Sequence, residues 1–202
     1  MKAATHIKEY ISQLPAGQPF SSSTLRQFAS TDNIRQILNR LVKAGKIKRV
    51  GRGIFAKPEQ VPAIGEVLPS VIEIAQTLAK STGEIIAVHG AEAARQLQLS
   101  TQVPVRLIFY TSGNTRTLKL ANRPVRLKHV APSRLVACGT TAGLVISALE
   151  YLGRDNVTLE TITKIKHHIT AEEFKTVLRL VEHMPTWLSD IFYRYQQGFT
   201  NE

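Results

Sequence analysis

Leu38-Asn-Arg-Leu-Val-Lys-Ala-Gly-Lys-Ile-Lys-Arg-Val-Gly-Arg-Gly-Ile-Phe-Ala-Lys-Pro58 decides the fold of the N-terminal part of this chain. An amphipathic run reaches Gly45, a residue type suited to the C′ position just past a helix. A short basic strand follows, then the turn Gly51-Arg52-Gly53, then a second strand that Pro58 stops. Just upstream, Ile34, Ile37, Leu38, Leu41 and Val42 form one apolar stripe, about 140° wide on a helix over 32–44. The rest of that helix surface carries Asn33, Arg35, Gln36, Asn39, Arg40 and Lys43.

Working outward, Ile7, Tyr10, Ile11 and Leu14 recur at helical spacing and predict a helix over 3–14, ended by Pro15-Ala-Gly17. Ser21 or Ser22 can accept from the free N–H groups of a short second helix over 22–29. With Ser21 as the cap, Phe20 and Leu25 occupy the two positions of a hydrophobic staple. Ser30-Thr31-Asp32 supplies the cap of the third helix. Two helices joined by a tight turn after an opening helix, then a hairpin, predict a winged helix-turn-helix over 1–58.

Residues 59–69 read as a linker, bounded by Pro58 and Pro69 and holding Pro62 and Gly65. From 70 to 202 the expectation is a C-terminal α+β domain, a small sheet flanked by helices. Helices are expected at 68–81, ended by Gly83, and at 90–98; Ile85–Val88 is a candidate buried strand. Then the period changes to two. Val105–Tyr110, Thr115–Leu120 and Val125–Val130 are β-rich, with turns at Ser112-Gly-Asn114 and Ala121-Asn-Arg-Pro124. Helices follow at 133–137, 141–152, 158–167, 170–182 and 185–196. The fold class of the whole chain is therefore α+β.

The chain has 202 residues, with 26 Lys+Arg against 15 Asp+Glu, a net charge of +11. Residues 1–60 hold 11 of the cations and 3 of the acids, a net of +8, which leaves +3 for the remainder. Charge concentrated on the first domain implies a polyanionic partner, either nucleic acid or an acidic membrane surface. The single cysteine, Cys138, excludes an internal disulfide framework and any multi-cysteine zinc site. No run reaches the ~18 apolar residues of a membrane span. Glu9 interrupts the segment where a signal peptide would be apolar, so a soluble cytoplasmic protein is expected.

The third helix and the hairpin carry the candidate chemistry. Arg35, Gln36 and Asn39 have side chains that read base edges, Arg forking to guanine and Asn or Gln pairing with adenine. Asn33 shares that polar face. Ser22, Ser23 and the helix N-terminal amides suit phosphate oxygens, as do Arg26, Arg40, Lys43 and Lys48. Lys46, Arg49 and Arg52 lie on or beside the hairpin, with Arg52, between two glycines, as the groove probe. A solvated helix face beside a charged hairpin is the plain alternative. A second basic surface is expected on the sheet: Arg106, Arg116, Lys119, Arg123, Arg126 and Lys128, followed by Arg134, with no acid between 106 and 134. Those charges would either guard a sheet edge or contact a nucleic acid or acidic partner. The last helix carries Trp187, Phe192 and Tyr193, either as core or as a docking face.

Other chemistries fit poorly. Gly51-Arg-Gly53-Ile-Phe-Ala56 matches G-x-G-x-x-A, but strand residues and Pro58 follow where a dinucleotide site needs a helix. Cys138, Ser112, His89, His129 and His183 fall in no nucleophile signature, so no enzyme activity is expected. His167 and His168 are adjacent and point ~100° apart on a helix, so they cannot chelate together. Glu172 and Glu173 diverge in the same way and make no paired-carboxylate metal site. Neither a metal nor any other cofactor is expected.

The segment Leu38–Pro58 resembles the N-terminal winged helix of AbiEi-type antitoxins, the abortive-infection family of type IV toxin–antitoxin systems. Thr101-Gln-Val-Pro104 and Phe109-Tyr-Thr-Ser-Gly113, followed by basic strands, are similar to that family's C-terminal domain. The resemblance implies a bacterial phage-defence antitoxin that represses its own operon, nucleoid-associated when its N-terminal domain binds inverted repeats in promoter DNA. The C-terminal domain would counter a nucleotidyltransferase-type toxin without needing a stable complex. A homodimer on the DNA stays open. Two alternatives also stay open: a protein-interaction module that sequesters a partner enzyme directly, and an operon repressor with an unrelated sensing domain.

Overall fold

The computed structural model describes residues 2–103 and 106–199. Pro104 and Val105, which fall in the Thr101–Pro104 motif and at the start of the expected strand Val105–Tyr110, lie outside the described residues. The protein is α+β, with helices and, among the described residues, three small sheets. It divides into two compact units: Met1–Glu84 with Thr117–Val125, and Ile85–Arg116 with Arg126–Glu202.

The first unit opens with helix α1 (Lys2–Gln13) and strand β1 (Pro19–Ser21). The expected second helix is a single 3₁₀ segment, Ser22–Gln27, capped by Ser21, whose Oγ accepts the Ser23 N–H at 3.1 Å. Three serines and a threonine at its start favour this tight local bonding over a full α-helix. Helix α2 (Thr31–Lys43) follows. Its end is a Schellman motif: the Gly45 N–H bonds the Val42 carbonyl, the Lys46 N–H bonds the Leu41 carbonyl, and Gly45 takes φ +67°. Strands β2 (Lys48–Gly51) and β3 (Ile54–Ala56) form the hairpin, and the sheet order is β1-β3-β2. β1 was not foreseen from the sequence. It pairs Phe20 with Phe55 and Ser21 with Ile54, so the fully buried β3 lies in the middle. Between β2 and β3 the register slips by one residue: Arg49 faces Phe55 and Gly51 faces Ile54, with Val50 as the extra residue. Ile7, Ile11, Phe20, Leu25, Ile34, Ile37, Leu38, Leu41, Ile47 and Phe55 make one core under these elements. Phe20 and Leu25, the expected staple pair, are both in it.

Residues 59–67 are not a loose linker. β4 (Glu59–Val61) and β5 (Gly65–Val67) pair as an antiparallel hairpin, Gln60 opposite Glu66. Pro58, Pro62 and Pro69 sit outside both strands, so they end elements without removing a ladder donor. Helix α3 (Val71–Thr82) begins at a capping box between Ser70 and Glu73 and ends at left-handed Gly83. It belongs to the first unit, so the boundary falls at 84/85 rather than in the 59–69 segment.

The second unit holds strand β6 (Ile86–Val88), helix α4 (Gly90–Gln96), strand β7 (Leu107–Thr111) and the outer parts of strands β8 (Arg116–Leu120) and β9 (Arg123–His129). The sheet order is β6-β7-β9-β8, with β6 antiparallel to β7. Helices α5 (Thr141–Leu152) and α6 (Leu159–His168) follow the expected spans to within a residue, whereas α7 (Ala171–Arg179) stops short of 182, with a separate 3₁₀ turn at Val181–His183, and α8 (Thr186–Phe199) runs past 196. The expected helix over 133–137 is a 3₁₀ turn at Pro132–Leu135. α5 is buried through Ala142, Val145, Ile146, Ala148 and Leu149, and packs with Ile162, Ile165, Phe174, Val177, Leu188 and Phe192. Of the aromatic load on α8, Phe192 is core, Trp187 is half-buried and Tyr193 is exposed. Gly90 lets α4 cross α5 at close range: a Cβ there would stand 2.3 Å from the Tyr151 Cβ and 2.5 Å from the Ser147 carbonyl oxygen. Among the described residues, no helix is long and apolar enough to cross a membrane.

Candidate functional site

A groove of about 270 Å³ opens between the 3₁₀ segment, the N-terminal part of α2 and the β2–β3 hairpin, all within the first unit. Ser22, Ser23 and Arg26 line it from the 3₁₀ segment. Thr31, Ile34, Arg35, Leu38 and Asn39 line it from α2, and Arg49, Gly53 and Phe55 from the hairpin. Six residues singled out in the sequence therefore meet in one place: Ser22, Ser23, Arg26, Arg35, Asn39 and Arg49. The geometry follows from local rules. Arg35 and Asn39 are four residues apart and share a face of α2. The Ser22 N–H donates to the Gly53 carbonyl at 2.8 Å, which holds the 3₁₀ start against the hairpin turn. Gly53 takes φ +74°, a turn conformation that a side chain disfavours.

The remaining α2 residues stand elsewhere. Asn33, Gln36, Arg40 and Lys43 are exposed on the outer side of α2, beyond the groove lining. Gln36 follows Arg35 by ~100° around the helix, so it sits beside the groove face rather than in it. Lys46 is exposed past the helix end, and Arg52 is exposed at the hairpin turn between its two glycines. Lys48 departs from expectation: it is half-buried, with its Nζ 3.1 Å from Glu66 Oε1 on β5. That carboxylate gives its charge a partner within the first unit. Arg35 carries a partner too, Asp32 at 3.2 Å, but both side chains are more than two-thirds exposed. Such a pair is worth little in water and is easily exchanged for another anion. Guanidinium, hydroxyl and amide groups around a concave floor can hold phosphate oxygens and read nucleobase edges.

The uncharged part of the groove lining carries no binding signal in the sequence. Thr31, Ile34, Leu38 and Phe55 belong to it, and Ile34 and Leu38 read only as core. Glu66, the partner of Lys48, is hidden in a segment that reads as linker.

The second basic set is divided between the two units. Lys119 and Arg123 belong to the first unit, whereas Arg106, Arg116, Arg126 and Lys128 belong to the second. Arg116 is half-buried and donates to the Asn114 carbonyl at 3.1 Å; the others are exposed.

The candidate nucleophiles and bases have local bonds. Cys138 is half-buried, its Sγ donates to the Ile86 carbonyl, and burial pushes the thiol pKa up, which disfavours thiolate. Ser112 Oγ accepts the Ile85 N–H, and His129 Nδ1 meets the Gly113 carbonyl at 2.9 Å. His89 caps α4 by accepting the Ala91 N–H and stacks near Tyr110 and Tyr151. Burial lowers its pKa, helped by the cations Lys128 and Arg134. His183 is exposed on a 3₁₀ turn, and His167 and His168 end α6. Glu172 pairs with Lys175, while Glu173 closes the capping box of α7 with Thr170 and accepts the Thr141 hydroxyl. The two carboxylates thus serve separate local roles.

Fold and site define an α+β protein whose N-terminal unit presents a basic, amide-bearing groove. The chain belongs to a family of unknown function, DUF6088, whose model matches residues 6–177. It is similar to the RV2827C protein from Mycobacterium tuberculosis, known from a crystal structure, at 14% identity and a TM-score of 0.46, over 93% of this chain and 74% of that chain. Among curated proteins, none matches it.

Proposed function

We propose that residues 1–58 form a winged helix-turn-helix that binds double-stranded DNA. α2 is its recognition helix and the β2–β3 hairpin its wing. Arg35 and Asn39 read base edges from the groove side and Gln36 from the adjoining face. Ser22, Ser23, Arg26, Arg40, Lys43 and Lys46 hold phosphates, Arg49 and Arg52 reach from the wing, and Asn33 sits at the helix entry. The observation that carries this reading is the convergence of Ser22, Ser23, Arg26, Arg35, Asn39 and Arg49 on one groove. The +8 charge of residues 1–60 supports it. An Arg35→Ala/Arg52→Ala variant should bind promoter DNA more weakly and with a shallower salt dependence in a gel shift. Unchanged affinity and unchanged slope would remove the proposal's basis.

We further propose, on the resemblance to AbiEi-type antitoxins, that this chain represses its own operon by binding inverted repeats in its promoter. In that reading the C-terminal part counters a nucleotidyltransferase-type toxin in a bacterial cytoplasm, as a type IV antitoxin. Expression beside the product of the adjacent gene tests this second step. Rescue of growth by the full chain is expected; persistent toxicity with the chain expressed contradicts it.

A further inference from the structure

We propose that the tip of the β8–β9 hairpin is an additional phosphate-contacting element of the same DNA-binding surface, with Lys119 and Arg123 as its contacts. This rests on the DNA-binding reading and extends it to residues about 70 positions beyond the wing in sequence. The tip is held to β2 by two contacts inside the first unit. Val50, the extra residue of the register slip, offers its carbonyl to the Ala121 N–H at 2.8 Å. Leu120, 1% exposed, lies over the bare backbone of Gly51, where a Cβ would stand 3.1 Å from its Cδ2. Ala121 and Asn122 both take positive φ, +47° and +61°, as a tight two-residue hairpin turn requires.

Lys119 and Arg123 flank this turn and are exposed, and residues 117–125 contain no acid. The strand they are fastened to leads through Arg49 into Arg52. Two cations flanking this turn, beside a basic wing, lengthen the strip of positive charge. A duplex backbone suits that strip, because its charge is regular and of one sign. A pre-ordered tip also loses little conformational entropy when it meets its partner. Phosphate contacts of this kind position the protein and carry no sequence information.

The test is a salt titration of the full chain on a labelled duplex from upstream of its own gene, read by fluorescence anisotropy. Lys119→Ala/Arg123→Ala is compared with Lys164→Ala/Lys175→Ala, which removes the same charge from α6 and α7. The tip variant should lower the slope of log K against log salt by about 1.8, from about 0.9 per phosphate lost. Its deficit relative to wild type should shrink about tenfold between about 50 and about 200 mM salt, with preference for the upstream sequence over a scrambled duplex retained. The α6/α7 variant should keep the wild-type slope. A tip variant with the wild-type slope overturns this inference alone, as does an equal loss in the α6/α7 variant. A wild-type chain that binds no duplex overturns the DNA-binding reading itself. Binding to an acidic protein lost in the tip variant, with DNA binding intact, also overturns the inference.

Discussion

The Gly53 carbonyl accepts the Ser22 N–H at 2.8 Å, so the turn of the β2–β3 hairpin and the first residue of the 3₁₀ segment hold each other in place. The bond ties the 3₁₀ side of the groove to its hairpin side. Gly53→Ala should cost about 1 kcal/mol, because Gly53 adopts φ +74° and an L-residue is penalised there. The melting temperature should fall, and DNA affinity should fall with it because Arg49 and Arg52 lose their fixed placement. Thermal melts and gel shifts on one preparation check both effects.

Asp32 sits 3.2 Å from Arg35 on the exposed rim of the groove. Asp32→Asn removes a negative charge from the approach path and frees the guanidinium. DNA affinity should rise a few-fold at low salt, while stability drops by no more than about 1 kcal/mol from the lost charge in the first helical turn. Weaker binding in this variant would show that the carboxylate positions Arg35 rather than competing for it.

Gly90 marks the close crossing of α4 and α5. A methyl group there would meet the Tyr151 Cβ and the Ser147 carbonyl at distances that ordinary atoms do not share. Gly90→Ala should destabilise the second unit by about 1–3 kcal/mol through overpacking. Denaturant unfolding measures it. A neutral result would mean that α4 shifts at no cost.

His89 supplies a pH dependence with a definite sign. Its pKa is lowered by burial first, then by Lys128 and Arg134, with Tyr110 and Tyr151 as its ring neighbours. The folded protein therefore resists protonation more than the unfolded chain does. The stabilising contribution is full above the ordinary value of 6.5 and is lost as pH falls through the lower folded value. Wild-type melting temperature should drop as pH is taken below 6.5. His89→Asn keeps a cap acceptor but does not titrate, so that component of the slope should vanish.

Much of this architecture was legible from local signals. Gly45 and Gly83 end helices as their residue type demands, the Ile34–Leu41 stripe is core, and α5 keeps its expected bounds of 141–152. Elements that depend on distant partners were not legible. β1 is three residues long and exists because Phe20 finds Phe55. The 59–67 hairpin was masked by prolines that bracket its strands. The sequence also hides the division of the basic sheet residues, because the tip at 117–125 joins a unit that precedes it by dozens of residues. For the groove, polar residues on α2 were recognisable one by one. Which of them turn inward depends on where the 3₁₀ segment and hairpin pack: Arg35 and Asn39 line the groove, and Gln36 does not.

Specific recognition of DNA by the N-terminal unit is tested by the affinity of the full chain for the duplex upstream of its own gene, against a scrambled duplex of equal length at fixed salt. A preference for the upstream duplex of about a thousandfold or more is expected. Equal affinity for the two duplexes, or no binding to either, contradicts it.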